Sequence, residues 1–313
     1  MRNNEPTVIA KNLVKEFGDF PAVAGIDFIV GRGEIFGFLG PNGSGKTTTI
    51  RLMLGLLRPT EGEMEVLGIS VNDHPEKIRP RVGYMSQQFS LYNDLTVEQN
   101  LRFHGTAYGL TNTELVERMS IGLEMAGLQG REKTKTKELS GGWRQRLALS
   151  AAFLHEPRVL FLDEPTAGVD PISRREFWEL LYILVAQGVT VFVTTHYMDE
   201  AEHCHRLAFI RRGKIIATGT PDELRDKFMK GEVLELAPDD AASAVKVLRN
   251  ARAEGRLDLN EVELYGSLVH VVANDMSQKQ SEIIAELQRS GLDPGSGVII
   301  EPSLEDVFIA SMK

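Results

Sequence analysis

The chain has 313 residues, 42% of them hydrophobic and 25% charged, the make-up of an ordinary globular protein with room for about two domains. Its net charge is −9 and it holds one cysteine, Cys204, so an internal disulfide is excluded and a reducing compartment is expected. No apolar run approaches the roughly 18 residues of a membrane span, and Met1-Arg2-Asn3-Asn4 leads into no signal-like segment, so a soluble chain with no direct membrane insertion is expected.

The first sixty-odd residues read as short strands, among them Asp27–Val30, Glu34–Leu39 and Glu63–Leu67, punctuated by Gly18, Gly31-Arg32-Gly33 and Gly62. Phe17 precedes Gly18 and has two readings, a core ring or a platform for a base. Gly40-Pro41-Asn42-Gly43-Ser44-Gly45-Lys46-Thr47 matches G-x-x-x-x-G-K-[ST], a phosphate loop. The apolar residues Ile35, Phe36, Phe38 and Leu39 before it predict a buried parallel strand. Ile50, Met53, Leu54 and Leu57 after it predict one face of a helix. In that setting the loop amides and the helix start, through Thr47 and Thr48, face a polyphosphate. Lys46 reaches its β- and γ-phosphates, and the Thr47 hydroxyl ligates Mg²⁺. The chain is expected to bind a nucleoside triphosphate.

From Thr96 to Glu138 the pattern turns polar and helical, with helices expected around Glu98–Tyr108, Asn112–Ala126 and Arg131–Glu138. Two β-rich runs follow, Val159–Leu162 and Val189–Thr195, with a helix around Ser173–Ala186 between them; this order predicts a parallel, right-handed crossover. Ligands bind at the carboxyl ends of such strands. Asp163 and Glu164 sit at the end of the first run, where Asp163 suits a Mg²⁺ shell and Glu164 suits orienting or deprotonating a water at the γ-phosphate. His196 ends the second run and reaches the same rim, in position to contact that phosphate. Leu139-Ser140-Gly141-Gly142 opens another helix, and free amides on small residues there make a second anion site. One nucleotide meets both sites only when two chains face each other, which predicts nucleotide-dependent dimerisation.

In this order the motifs resemble those of the ATP-binding cassette (ABC) family: the aromatic Phe17, Walker A from Gly40 to Thr47, Gln87, the signature Leu139–Gly142, Walker B Val159–Asp163 with Glu164, Asp170, and the switch histidine His196. The resemblance covers residues 8–225 and implies a P-loop NTPase cassette of the α/β class, with a mixed β-subdomain, a parallel-sheet core and a helical subdomain. It implies ATP as ligand with Mg²⁺ as its cofactor. It also implies a head-to-tail homodimer or heterodimer of ATPase subunits, each ATP lying between one phosphate loop and the partner's signature. Phe17 then becomes an adenine platform, and Gln87 a sensor of metal and partner. The family's usual glutamine after the signature is Trp143 here, which leaves open the contact to the ribose side or partner chain.

The tail is the acidic part: residues 231–313 hold 15 Asp and Glu against 7 Lys and Arg, while the first 230 residues are nearly balanced. This shift marks a boundary near Lys230-Gly231 and argues against nucleic acid as a partner. Residues 232–313 alternate as β-α-β-β-α-β, which predicts a small α+β, ferredoxin-like accessory domain, with Gly266-Ser267 as a hairpin and Ser303 capping a closing helix. Pro302–Phe308 resembles the ending of drug, antibiotic and polysaccharide exporter ATPases; a stability or dimerisation extension is the alternative. His203-Cys204-His205 has the wrong spacing for a metal site.

The expectation is an ATP-hydrolysing subunit of an exporter, held at the cytoplasmic face of the cell membrane by separately encoded integral membrane permease subunits. By resemblance, Phe89, Leu91 and Tyr92 seat such a partner; local core is the alternative. Other function classes compatible with the motifs are a non-transport ABC ATPase acting on nucleic acid or ribosomes, and a non-hydrolysing regulatory module. Lys46 and Ser140 lie under a hundred residues apart, leaving no room for the coiled coil of chromosome-type members, and Glu164 with His196 argues for turnover.

Overall fold

The computed structural model describes residues 5–87, 91–229 and 231–311; Met1-Arg2-Asn3-Asn4 and Phe89 lie outside the described residues. The chain divides into two compact units, Met1–Thr220 and Pro221–Lys313. The helix Pro221–Phe228, cut by a boundary at 225, belongs whole to the second unit, where Arg225 Nε donates to the Pro302 carbonyl at 3.0 Å.

In the first unit, a six-stranded sheet runs in the order Lys214–Gly219, Arg206–Arg211, Ile35–Leu39, Thr190–Thr195, Val159–Asp163, Val82–Met85. All neighbours are parallel except the first pair, whose strands are joined at Arg212-Gly213. The three central strands are buried along their whole length, as continuous apolar runs covered on both faces must be. Phe28, Phe36, Phe38, Phe161 and Phe192 meet around Phe192 with ring centroids 5.4–6.1 Å apart. A second, antiparallel sheet runs Phe20–Val30, Val8–Phe17, Glu61–Val66, Ile69–Ser70, and its inward residues Val8, Leu13, Ile26 and Met64 join the same core.

Helices form at Val97–Ala107 and Asn112–Ala126, each opened by a reciprocal capping box, Thr96 with Gln99 and Thr111 with Glu114. Arg131–Glu138 is not a helix: only Thr136–Glu138 makes a 3-10 turn. Its alternating Lys and Thr supply no apolar stripe to bury. Instead the segment ties down the start of the helix Val97–Ala107, with Val97 N donating to the Thr134 carbonyl at 3.0 Å and the Asn100 side-chain Nδ2 to the Thr136 hydroxyl at 2.9 Å.

In the second unit the expected order appears as Glu232–Leu236, helix Ala241–Ala253, Glu261–Tyr265, Leu268–Ala273, helix Met276–Arg289 and Gly297–Ile300. The four strands are all antiparallel, with Glu232–Leu236 and Leu268–Ala273 inside and Glu261–Tyr265 and Gly297–Ile300 at the edges, the ferredoxin-like arrangement. Both helices bury their apolar faces, including Leu248, Ile283 and Leu287, against the strand residues Leu234, Val269 and Val271. Ser303 and Asp306 cap the closing helix Leu304–Ser311 reciprocally. Among the described residues, no helix is long and apolar enough to cross a membrane.

Candidate functional site

Strand register builds the site. Leu39 pairs with Thr195, Asp163 with Thr194, and Met85 with Leu162. The residues that follow these strands, Gly40, Glu164, His196 and Gln87, therefore emerge on one rim, the carboxyl end of the parallel sheet. The Gly40 amide bonds the Thr195 carbonyl at 3.3 Å and closes the rim from below.

The phosphate loop then turns into the helix Lys46–Met53 through Gly45 at φ 111°, a backbone that side chains rarely adopt. A Cβ on Gly40 would lie 2.1 Å from the Ile210 carbonyl, so the loop is seated directly on a neighbouring strand. The first intrahelical bond runs from Thr49 N to Gly45 O at 2.9 Å. The amides of Lys46, Thr47 and Thr48 before it have no intrahelical acceptor and carry the positive end of the helix dipole, and no acidic residue stands in that turn. The Lys46 ammonium, 4% exposed, lies 2.7 Å from Gly40 O, 3.2 Å from Pro41 O and 3.1 Å from Glu164 Oε1.

Glu164 is where the predicted residues converge. Its second carboxylate oxygen accepts from Gln87 Nε2 at 3.1 Å and meets His196 Nδ1 at 3.1 Å. Glu164 is 7% exposed and its backbone sits at φ 48°, a left-handed conformation that costs a residue of this type about 1–3 kcal/mol unless its surroundings fix it. Thr194 supplies part of that fixing: its carbonyl and its hydroxyl accept from Glu164 N at 3.0 and 3.1 Å, and the hydroxyl donates to Asp163 Oδ1 at 2.7 Å. The motifs do not point to Thr194; a hydroxyl at the buried end of a strand beside two carboxylates is the one available signal.

The signature forms a second cluster. Ser140 caps the helix Gly141–Phe153, its hydroxyl accepting from Trp143 N at 3.5 Å. Gly142 packs so closely on Ser173 that a Cβ would lie 2.4 Å from its hydroxyl, while a Cβ on Gly141 would stand 3.9 Å from Val169. Asp170 caps the helix Pro171–Ala186 through Ser173 N at 2.9 Å. Bonds from the backbone and side chain of Ser173 hold its carboxyl below the usual carboxylate range. Ser140, Gly141, Gly142 and Asp170 thus share one surface. The Arg131 guanidinium lies 3.9 Å from the centre of the Trp143 ring, so this tryptophan has an intrachain partner. Phe17 ends its strand half exposed, with the Lys15 ammonium 5.3 Å from its ring centre.

Thr47, Gln87 and Asp163 offer a hydroxyl, an amide oxygen and a carboxylate. Among the described residues, no group of three or more His, Cys, Asp and Glu side chains is placed to hold a metal. Hard oxygen donors of this kind fit Mg²⁺, which takes one or two carboxylates and completes its shell with water and phosphate oxygens. His203, Cys204 and His205 part ways as their spacing requires. His203 stacks on Trp178, His205 accepts from the Ile35 amide, and burial pushes the Cys204 thiol upward in pKa. Leu91 is buried and Tyr92 half exposed, its ring edge-on to Phe103 at 4.8 Å.

A family model described as ABC transporter matches residues 23–167. The probable multidrug ABC transporter ATP-binding protein YbhF of Escherichia coli (strain K12) is 53% identical over 221 residues, covering 71% of this chain and 38% of that protein. The chain thus spans well under half the length of that relative. The Nod factor export ATP-binding protein I of Ralstonia nicotianae is 37% identical over 306 residues, covering 97% of this chain and 93% of that protein. A solved dimer of the ATP-binding cassette MJ0796, described as a post-hydrolysis state bound to ADP and Pi, is 30% identical with a TM-score of 0.62. It covers 68% of this chain and 98% of its own.

Proposed function

The chain belongs to the ATP-binding proteins of ABC transporters, and from that membership we propose that it is the ATP-hydrolysing subunit of an exporter, energising separately encoded membrane permeases. In this reading two chains, alike or related, close head to tail over two ATP molecules and sit at the cytoplasmic face of the membrane through their permease partners. The unit ending at Thr220 carries the chemistry, and the unit that begins at Pro221, built on residues 232–313, is an accessory domain.

The observation that carries the reading is the Glu164 carboxylate, within 3.1 Å of Lys46, Gln87 and His196 at the rim. Lys46 and the loop amides from Gly43 to Thr48 bind the β- and γ-phosphates, Phe17 stacks on the adenine, and Ser140, Gly141 and Gly142 bring their amides to the γ-phosphate bound by the partner chain. Glu164 orients a water and takes its proton as the water oxygen bonds to the γ-phosphorus and the bond to the β,γ-bridging oxygen breaks, leaving ADP and inorganic phosphate. His196 contacts the γ-phosphate, and Asp170 lies beside the signature where a partner chain's site is completed. Thr47, Gln87 and Asp163 would hold Mg²⁺, which when bound neutralises charge on the phosphate oxygens.

The word export in the Nod factor relative's name, and the Pro302–Phe308 ending, support the direction of transport. The acidic balance of −9 weighs against a nucleic-acid role. Glu164→Gln keeps the shape of the side chain and removes the base. It is expected to abolish turnover while ATP-bound dimers persist in size-exclusion chromatography with light scattering. Hydrolysis at the wild-type rate in that variant would overturn the assignment of the base.

A further inference from the structure

Beneath the rim a second, indirect route connects the loop of Glu164 to the loop of His196. Glu200 lies on the short 3-10 helix Asp199–His203 and is 1% exposed. Its Oε1 accepts from the hydroxyl of Thr166, two residues past Glu164 and equally buried. The same oxygen lies 3.5 Å from Nε of Arg174, on the helix capped by Asp170. The Arg174 guanidinium also pairs with Asp199 at 3.0 Å and lies over the Tyr197 ring, 4.5 Å from its centre. Tyr197 in turn packs on the His196 imidazole at 4.1 Å. The circuit closes where His196 meets Glu164.

Stability alone does not account for Glu200. Burial pushes its carboxyl upward in pKa against the bonds from Thr166 and Thr195, and its Oε2 is buried with no hydrogen-bond partner. An apolar side chain of similar volume would avoid both costs. What an apolar side chain would not do is hold Thr166, and through it the strained backbone at Glu164, in register with Arg174 and Tyr197. We propose that Glu200 is a positioning residue for hydrolysis, locking the Glu164 loop to the His196 loop through Thr166, Arg174 and Tyr197. The inference rests on the reading of Glu164 and His196 as the hydrolytic pair.

The test is steady-state ATP hydrolysis by the full chain, with ATP binding and thermal unfolding measured on the same samples. Glu200→Ala is expected to lower kcat by about 10- to 100-fold with KM for ATP held within about twofold, because misplacing a reacting group weakens the chemical step more than binding. Thr166→Val, which removes one hydroxyl and keeps the volume, should reproduce the fall in kcat. Glu200→Gln retains an oxygen for Thr166 and should recover most of the loss. A merely structural role would instead lower the melting temperature and leave kcat of the folded protein unchanged. Wild-type kcat in folded Glu200→Ala or Thr166→Val, or a change in KM alone, overturns the proposal; if Glu200→Ala does not fold, Thr166→Val decides. Absence of hydrolysis in the wild-type chain would sink the parent reading and this one with it, whereas hydrolysis untouched by these variants sinks only this one.

Discussion

The Lys46 ammonium has three oxygens around it, and only one of them, Glu164, carries charge. Both side chains are more than nine-tenths buried, so removing the cation leaves a buried carboxylate supported by Gln87 and His196 alone. Lys46→Ala is therefore expected to do two separable things. It should weaken ATP binding by about 10- to 100-fold, the worth of one charge-assisted bond to phosphate, and destabilise the fold by about 3 kcal/mol. Adding Glu164→Gln to Lys46→Ala should restore most of the stability and none of the affinity, since only the first depends on the orphaned charge. Calorimetric titration with ATP and denaturant unfolding read the two effects, and unchanged affinity in Lys46→Ala would count against the phosphate-loop assignment. Gln87 came only from the resemblance to the family, whereas Lys46, Glu164 and His196 were legible in the sequence, because each lies just past an apolar strand at a motif's offset. Thr166, Arg174, Thr194, Tyr197 and Glu200 were not. Their roles come from contacts between segments up to 34 residues apart, and no spacing rule joins a buried threonine to a buried glutamate across that distance.

At the scale of elements, the closing helix of the second unit is tied to its sheet by a histidine held between two carboxylates. His270 on the strand Leu268–Ala273 is 3% exposed and has Asp306 Oδ1 2.9 Å from Nδ1 and Glu235 Oε2 3.0 Å from Nε2. Tyr265 stacks on the ring and donates its hydroxyl to Glu305, while Glu263, opposite His270 on the next strand, is taken up by Arg249. Burial pushes the imidazole down in pKa, but the two carboxylates outweigh it and raise the group above its ordinary 6.5. Its stabilisation is thus complete below the unfolded value and lost as pH rises through the folded one. Burial pushes Asp306 up, yet bonds from His270 and Ser303 leave it below 3.8, so its contribution is complete above that value and lost as pH falls through the folded one. The attachment should be firmest from about pH 4 to 6.5. Hydrogen exchange of the amides in Leu304–Ser311, corrected for intrinsic rates, should show weakening protection from pH 6.5 towards 9, and His270→Gln should flatten that slope. A flat profile in the wild type would refute the clamp. The β-α-β-β-α-β order, the ferredoxin-like arrangement it implies and the Ser303 cap were legible from apolar spacing, but the residue-by-residue register of the strand pairs was not, because pairing partners lie up to 67 residues apart and share no local pattern. Arg131–Glu138 misled for the opposite reason: its composition suits a helix, and its backbone bonds go instead to the residues around Thr96.

At the scale of the whole molecule, the chain presents two helix starts with free amides and no acidic residue in their first turns, one at the phosphate loop and one at the signature. Each belongs to its own cluster of contacts, Glu164 gathering the first and Ser173 the second. On the proposed head-to-tail reading, a second chain would supply the complementary half. On the proposed exporter reading, closure would be coupled to a separate membrane protein, and among the described residues no helix is long and apolar enough to cross a membrane. The half-exposed rings of Tyr92 and Phe103, 4.8 Å apart in edge-to-face contact, offer an apolar surface for such a protein on the helical part of the cassette. Expressed with its neighbouring genes and extracted from membranes in mild detergent, the chain should co-purify with an integral membrane protein. Phe103→Asp places a charge in that surface and leaves the phosphate loop untouched, so it should lose the companion while keeping ATP affinity. Retention of the companion by the variant would move the docking surface elsewhere. Recovery of ribosomes or DNA in place of a membrane protein would defeat the exporter reading itself, because an acidic chain that still holds a polyanion must do so through a built site that the transport reading does not contain.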